Sequence, residues 1–133
     1  MLSILTLTIG VFAVWLAKYD SNIYPVEFSE LMRESKNYDG KIVEIKASFL
    51  QGFEAMFLTG KDHKEAKMEY PNINEVISAK CLLAEESCRK VFDSLHESQE
   101  RQEKITVIGR YRDSEYQEYD GYIHKIEILE VKP

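Results

Sequence analysis

The chain has 133 residues, 30% of them charged, and a formal net charge of −6. That length allows one domain with a modest core. The negative balance repels phosphate backbones and anionic lipid heads, which argues against nucleic acid as the main partner.

Residues 1–17, MLSILTLTIGVFAVWLA, carry no charged side chain, and Lys18 closes the run. A membrane span needs about 17–25 apolar residues, and Trp15 and Tyr19 suit an interfacial belt. A cleaved signal is the second reading. It lacks a basic n-region, and small residues such as Ala13 leave only a short apolar core before the cut. A buried helix is the third. Residues 1–18 are therefore expected to be an N-terminal membrane anchor or signal segment, with 19–26 a tether and 27–133 the folded domain. Lys18 alone would draw its flank inward. The position is that of an export leader, so the expectation is a single-pass inner-membrane protein with its domain extracytoplasmic.

VEFSELMRESKNYDG reads as a helix, with Phe28, Leu31 and Met32 on one apolar stripe and Ser29 or Glu27 near the cap. Asp39-Gly40 supplies turn chemistry. Val43, Ile45, Ala47 and Phe49 then alternate with polar residues, the period of a half-buried strand. Gly52 marks a corner. Ala55 to Thr59 is a second strand, 61–74 a polar loop, and Val76 to Leu83 a third strand. Ser87 to Gln102 is a helix whose stripe is Cys88, Val91, Phe92 and Leu95. Lys104 to Arg112 and Tyr122 to Val131 are strands four and five, joined by an acidic loop, Asp113 to Gly121.

Five strands with a helix between the third and fourth is the order of the OB-fold, a partly open Greek-key barrel; here a further helix precedes strand one. The expected class is mainly β with helices, plus the N-terminal apolar helix. An unrelated α+β domain is the alternative.

The runs YDGKIVEIKASFLQGFEAMFL and ITVIGRYRDSEYQEYDGYIHKIEILEV resemble a family of bacterial envelope proteins. Those have a Y-x-G-K-x-V-x-V strand, a G-F-E corner and a final G-R-(F/Y) strand pair with a histidine in the last strand. The likeness spans most of residues 27–131, and implies an OB-like domain behind a signal or anchor. It carries no activity. Family members often place a cysteine soon after the second strand, and residues 61–74 have none.

Cys81 and Cys88 are the only cysteines. Outside the cytoplasm an even pair reads as a disulfide, and in a reducing compartment as two thiols. Their spacing, with His63, His96 and His124 scattered, does not suit zinc, and no cofactor is implied. Glu54, past the corner, reads as an ion-pair or capping carboxylate for Arg110 or Arg112, and less readily as a ligand or catalytic group. Arg110 and Arg112 share a strand face and suit an anion or a partner carboxylate. His124 is a hydrogen-bonded histidine or an acid-base group. Tyr111, Tyr116, Tyr119 and Tyr122 crowd the last two strands and their loop. Single-strand binders stack bases on such rings inside a basic groove, but here Asp113, Glu115, Glu118 and Asp120 lie between them. The function expected is a non-catalytic binding module of the envelope with a protein or glycan partner. A single-strand nucleic-acid binder is the alternative, and a small hydrolase using Glu54 and His124 the third.

Overall fold

A computed structural model describes residues 21–51, 56–69, 75–113 and 124–133. The strands are β1 (Ile23–Pro25), β2 (Ile42–Gln51), β3 (Met56–Thr59), β4 (Ile77–Lys80), β5 (Ile105–Asp113) and β6 (His124–Lys132). The helices are α1 (Phe28–Arg33), α2 (Ser35–Tyr38), α3 (His63–Glu69) and α4 (Glu85–Glu100). Strands run β2-β3-β4-β6-β5, and β5 returns to pair with β2, closing a five-stranded barrel. Pairing is antiparallel around the ring except between β4 and β6. This closed barrel fits the expected OB-like order. The apolar residues 1–17 lie outside the described residues, among which no helix is long and apolar enough to cross a membrane.

The length of β2 lets it serve two neighbours. Ile42 to Ala47 pair with β5, and Ser48 to Gln51 pair with β3 on the opposite edge. Burial alternates over the first stretch and becomes continuous from Ala47 to Leu50. There α3 packs against β2, and the Ser48 hydroxyl donates to the Lys61 carbonyl at 2.7 Å. The change of partner therefore lies at Ala47/Ser48, before the expected corner at Gly52, which is outside the described residues. The core gathers Val43, Ile45, Phe49, Leu58, Ile77, Val107, Tyr111, Ile126 and Ile128, with Leu31 and Leu95 from the helices.

Asp39-Gly40 makes the turn into β2. Lys41 N–H bonds the Tyr38 carbonyl at 2.9 Å, and Gly40 has φ +80°, the second central position of a type II turn, where glycine is favoured. The turn is fastened to β5 by Gly40 N–H to the Tyr111 carbonyl and Tyr111 N–H to the Lys41 carbonyl.

Several elements differ from expectation. Part of the expected tether forms β1, which runs parallel to β2; the Lys41 ammonium lies 5.0 Å from the Tyr24 ring centre. The expected first helix is broken at Glu34, whose φ −117° and ψ 36° are not helical. Residues 63–69, expected as loop, form α3, which buries only His63 and Ala66. That apolar signal is too sparse to reveal a helix by periodicity. β4 is shorter than expected because the chain leaves the sheet before Cys81.

The helix α4 buries Val91, Leu95 and Ser98 and packs on β2 and β6. It ends in a Schellman motif, with Gln102 at φ 56° and Glu103 N–H bonding the Ser98 carbonyl at 3.0 Å. Cys81 and Cys88 form a disulfide with Cα atoms 5.8 Å apart, which ties the end of β4 to the first turns of α4.

Candidate functional site

Two polar regions stand out. One is the barrel end where β5 leaves and β6 begins. Tyr111 and His124 face the same interior: Tyr111 is 0% exposed, and its hydroxyl lies 2.6 Å from His124 Nδ1. Asp113 Oδ1 is 3.6 Å from the same nitrogen. Ser35 Oγ donates to Asp113 Oδ2 at 3.2 Å, and Asp113 N–H donates to Asp39 Oδ1 at 3.0 Å. Burial, and then the Asp113 charge, push the Tyr111 phenol well above its ordinary value; the Ser35 hydrogen bond acts the other way. The phenol therefore stays protonated. Its ring, fully enclosed, offers no stacking platform to a base.

Arg110 and Arg112 do share the outer face of β5, but they part company. Arg110 donates to the Gly40 carbonyl, and Arg112 pairs with Glu127 at 2.9 Å. Glu54, Tyr116, Tyr119 and Tyr122 lie outside the described residues. Of the sequence-chosen set, the structure brings together Tyr111 and His124, with Arg110 and Arg112 on the flank. His96 is engaged elsewhere, bonded to Gln51 and to the Phe92 carbonyl.

The second region is a cleft of about 910 Å³ between β1–α1 and the β3–α3 connection, within the range of small-ligand and peptide sites. It contains none of the residues chosen from the sequence. Val26, Phe28 and Ile45 form its apolar part, and Gly60 lines it. A Cβ on Gly60 would lie 2.9 Å from the Phe28 ring, so glycine allows this close approach of α1 to the end of β3.

At this cleft the pairing of β2 has a gap of one residue between β1 and β3. Val26 N–H bonds the Glu44 carbonyl, while Tyr111 N–H bonds the Lys41 carbonyl. Even-numbered residues of β2 therefore aim their backbone groups at β1 and β3, and odd-numbered ones at β5. β1 pairing ends at Glu44 and β3 pairing begins at Ser48. Between them, Lys46 N–H and C=O bond no described residue on that edge. The residue that would face it is Lys61. Its N–H is turned to Thr59 Oγ1 at 3.4 Å, and its carbonyl accepts from Ser48.

Charge is uneven around this rung. Six carboxylates line the cleft against three lysines. Lys61 is held by Glu69, a hydrogen bond that raises its pKa; Lys104 lies 3.5 Å from Asp62, and Glu44 is 3.8 Å from Lys132. Among the described residues Glu27, Glu30, Glu65 and Glu75 make no ion pair, and Lys46 is the only lining cation without one.

Comparison with protein-family models, with curated proteins and with solved structures found no match. The chemistry must be read from the geometry. Among the described residues the barrel end is a hydrogen-bond network whose members pair with one another. The cleft combines a one-residue gap in the pairing of β2 with an excess of carboxylates over lysines. Sequence reasoning passed over it because its carboxylates are spread from Glu27 to Glu75, and because such a gap is defined by where neighbouring strands stop. The one available signal was the charged pair Glu44 and Lys46 on the solvent face of an otherwise apolar strand.

Proposed function

We propose that this chain is a non-catalytic binding module of the cell envelope, held by residues 1–18, with its OB-like domain outside the cytoplasm and a protein or glycan as partner. The observation that carries the reading is the cleft beside Lys46, about 910 Å³ and lined by six carboxylates against three lysines. A concave surface of this size with an excess of one charge favours recognition of a partner. The disulfide supports the compartment, because such bonds persist in oxidising surroundings. The excess of carboxylates disfavours a phosphate-bearing strand.

A photo-crosslinking residue placed at Lys46 of the full chain, in living cells, tests this. A discrete adduct is expected there and not from Lys90, which is exposed on α4. No adduct at Lys46 contradicts the reading. Cysteine labelling in intact cells checks the compartment: both thiols should react only after a reductant is added.

A further inference from the structure

We infer that the rim of the barrel at which the chain enters the domain rests on the headgroup layer of a phospholipid bilayer, through Ile23, Tyr24, Tyr38 and Lys41. This rests on the reading above that residues 1–18 hold the chain in the membrane. β1 begins beside the first residue of β2, with Ile23 opposite Ile42, so the incoming chain and the Asp39-Gly40 turn share one end of the barrel. Ile23 is six residues beyond Ala17, a reach of about 20 Å at full extension. Gln51, the far end of β2, is nine residues beyond Ile42, about 30 Å along the strand. The tether therefore holds the entry rim near the bilayer and lets the Gln51 end stand away from it.

The side chains at that rim are of the interfacial kind. The Lys41 ammonium lies 5.0 Å from the Tyr24 ring centre and 5.8 Å from that of Tyr38, so one lysine is flanked by two partly exposed tyrosines. Tyrosine and lysine, each an apolar body with a polar end, settle at the level of lipid headgroups. Ile23 beside them is 50% exposed, and contact with the layer would take its remaining surface out of water. Residues 33–41 carry three cations, Arg33, Lys36 and Lys41, against Glu34 and Asp39. Unlike the domain as a whole, this rim does not repel headgroup phosphates. The carboxylate-lined cleft lies farther along β2, at Glu44 and Lys46, and stays open to its partner.

The test uses the full chain in phosphatidylcholine vesicles. A diazirine-bearing residue is placed at Lys36, exposed on α2, or at Glu97, exposed on α4 one residue from the His96 that bonds Gln51. After illumination, lipid adducts are measured by mass spectrometry. Lys36 should yield at least about ten times the adduct of Glu97, as for a rim docked most of the time, and high salt should leave that ratio unchanged. Ile23→Asp puts a charge at the contact without touching the core, and should cut the Lys36 adduct about threefold or more with the melting curve unaltered. The inference is overturned by equal adducts from the two positions, as a freely tumbling domain would give. It is also overturned by preference for Glu97, or by an Ile23→Asp chain that labels lipid from Lys36 as strongly as the original. If any of these occurs while the chain stays in vesicles washed at alkaline pH, the anchored-module reading stands and only the docking fails. Release of the chain by that wash removes both.

Discussion

Around Tyr111 the polar side chains are satisfied by one another: tyrosine with histidine, serine with aspartate, aspartate with a backbone N–H, arginine with a carbonyl. Beside Lys46, on the same barrel, four carboxylates make no ion pair among the described residues, and Glu65 and Glu75 act on Lys61 only through their charge. The first arrangement closes a barrel end and should show itself in stability. The second adds little to folding and should show itself only when something binds. The two regions share β5, which supplies Tyr111 to one and Thr106 to the other, so the contrast comes from local geometry rather than from depth in the chain.

The largest expected effect is at the closed region. Tyr111→Ala should lower unfolding free energy by about 3–5 kcal/mol, as for other large buried aromatics, measured by urea denaturation. Next is the disulfide. Reducing it, or replacing both cysteines by serine, should cost about 2–3 kcal/mol through the freedom regained by the short loop in the unfolded chain. Gly60→Ala should cost about 1–3 kcal/mol, because its methyl group meets the Phe28 ring and the wall of the cleft must shift. An unaltered melting curve for that variant would mean the cleft wall is looser than the packing indicates.

A smaller effect concerns His63, 7% exposed, whose Nε2 has no hydrogen-bond partner among the described residues. Burial lowers its pKa below the ordinary 6.5. The unfolded chain therefore takes up this proton at higher pH than the folded chain does. Stability contributed by the neutral form is present above about pH 6.5 and is lost as pH falls toward the folded value, with a slope of at most about 1.4 kcal/mol per pH unit. His63→Leu should remove that portion of the acid dependence in denaturation curves taken from pH 7 to 5. The smallest effect is at the open region: Glu65→Gln should change stability by no more than about 0.5 kcal/mol. A loss matching that of Gly60→Ala would erase the distinction between the two regions.

The sequence revealed the barrel through its rhythm. Alternation at Val43 to Phe49 and again at Ile105 to Tyr111 marks half-buried strands, Asp39-Gly40 marks the turn, and the stripe Val91, Phe92, Leu95 marks the long helix. What stayed hidden has a common cause, in that tertiary contact supplies the order. Ile23 to Pro25 is too short to show a period, and becomes a strand because β2 offers it an edge. The segment His63 to Glu69 buries two residues and so looks like a loop. Leu129 is left without a partner where the β5–β6 register shifts between Ile108 and Gly109, a bulge no residue pattern announced. Of the candidate site, Tyr111 and His124 were visible as residue types, but their contact depends on antiparallel register. Lys46 looked like any solvent-facing strand residue.

The most direct measurement is amide hydrogen exchange along β2 in the free chain. Ile45, bonded to β5, and Leu50, facing β3, should be strongly protected, while Lys46 between them should exchange many times faster. Protection at Lys46 equal to that of its neighbours would mean the pairing of β2 has no gap at the cleft, and the contrast between the two regions would fail.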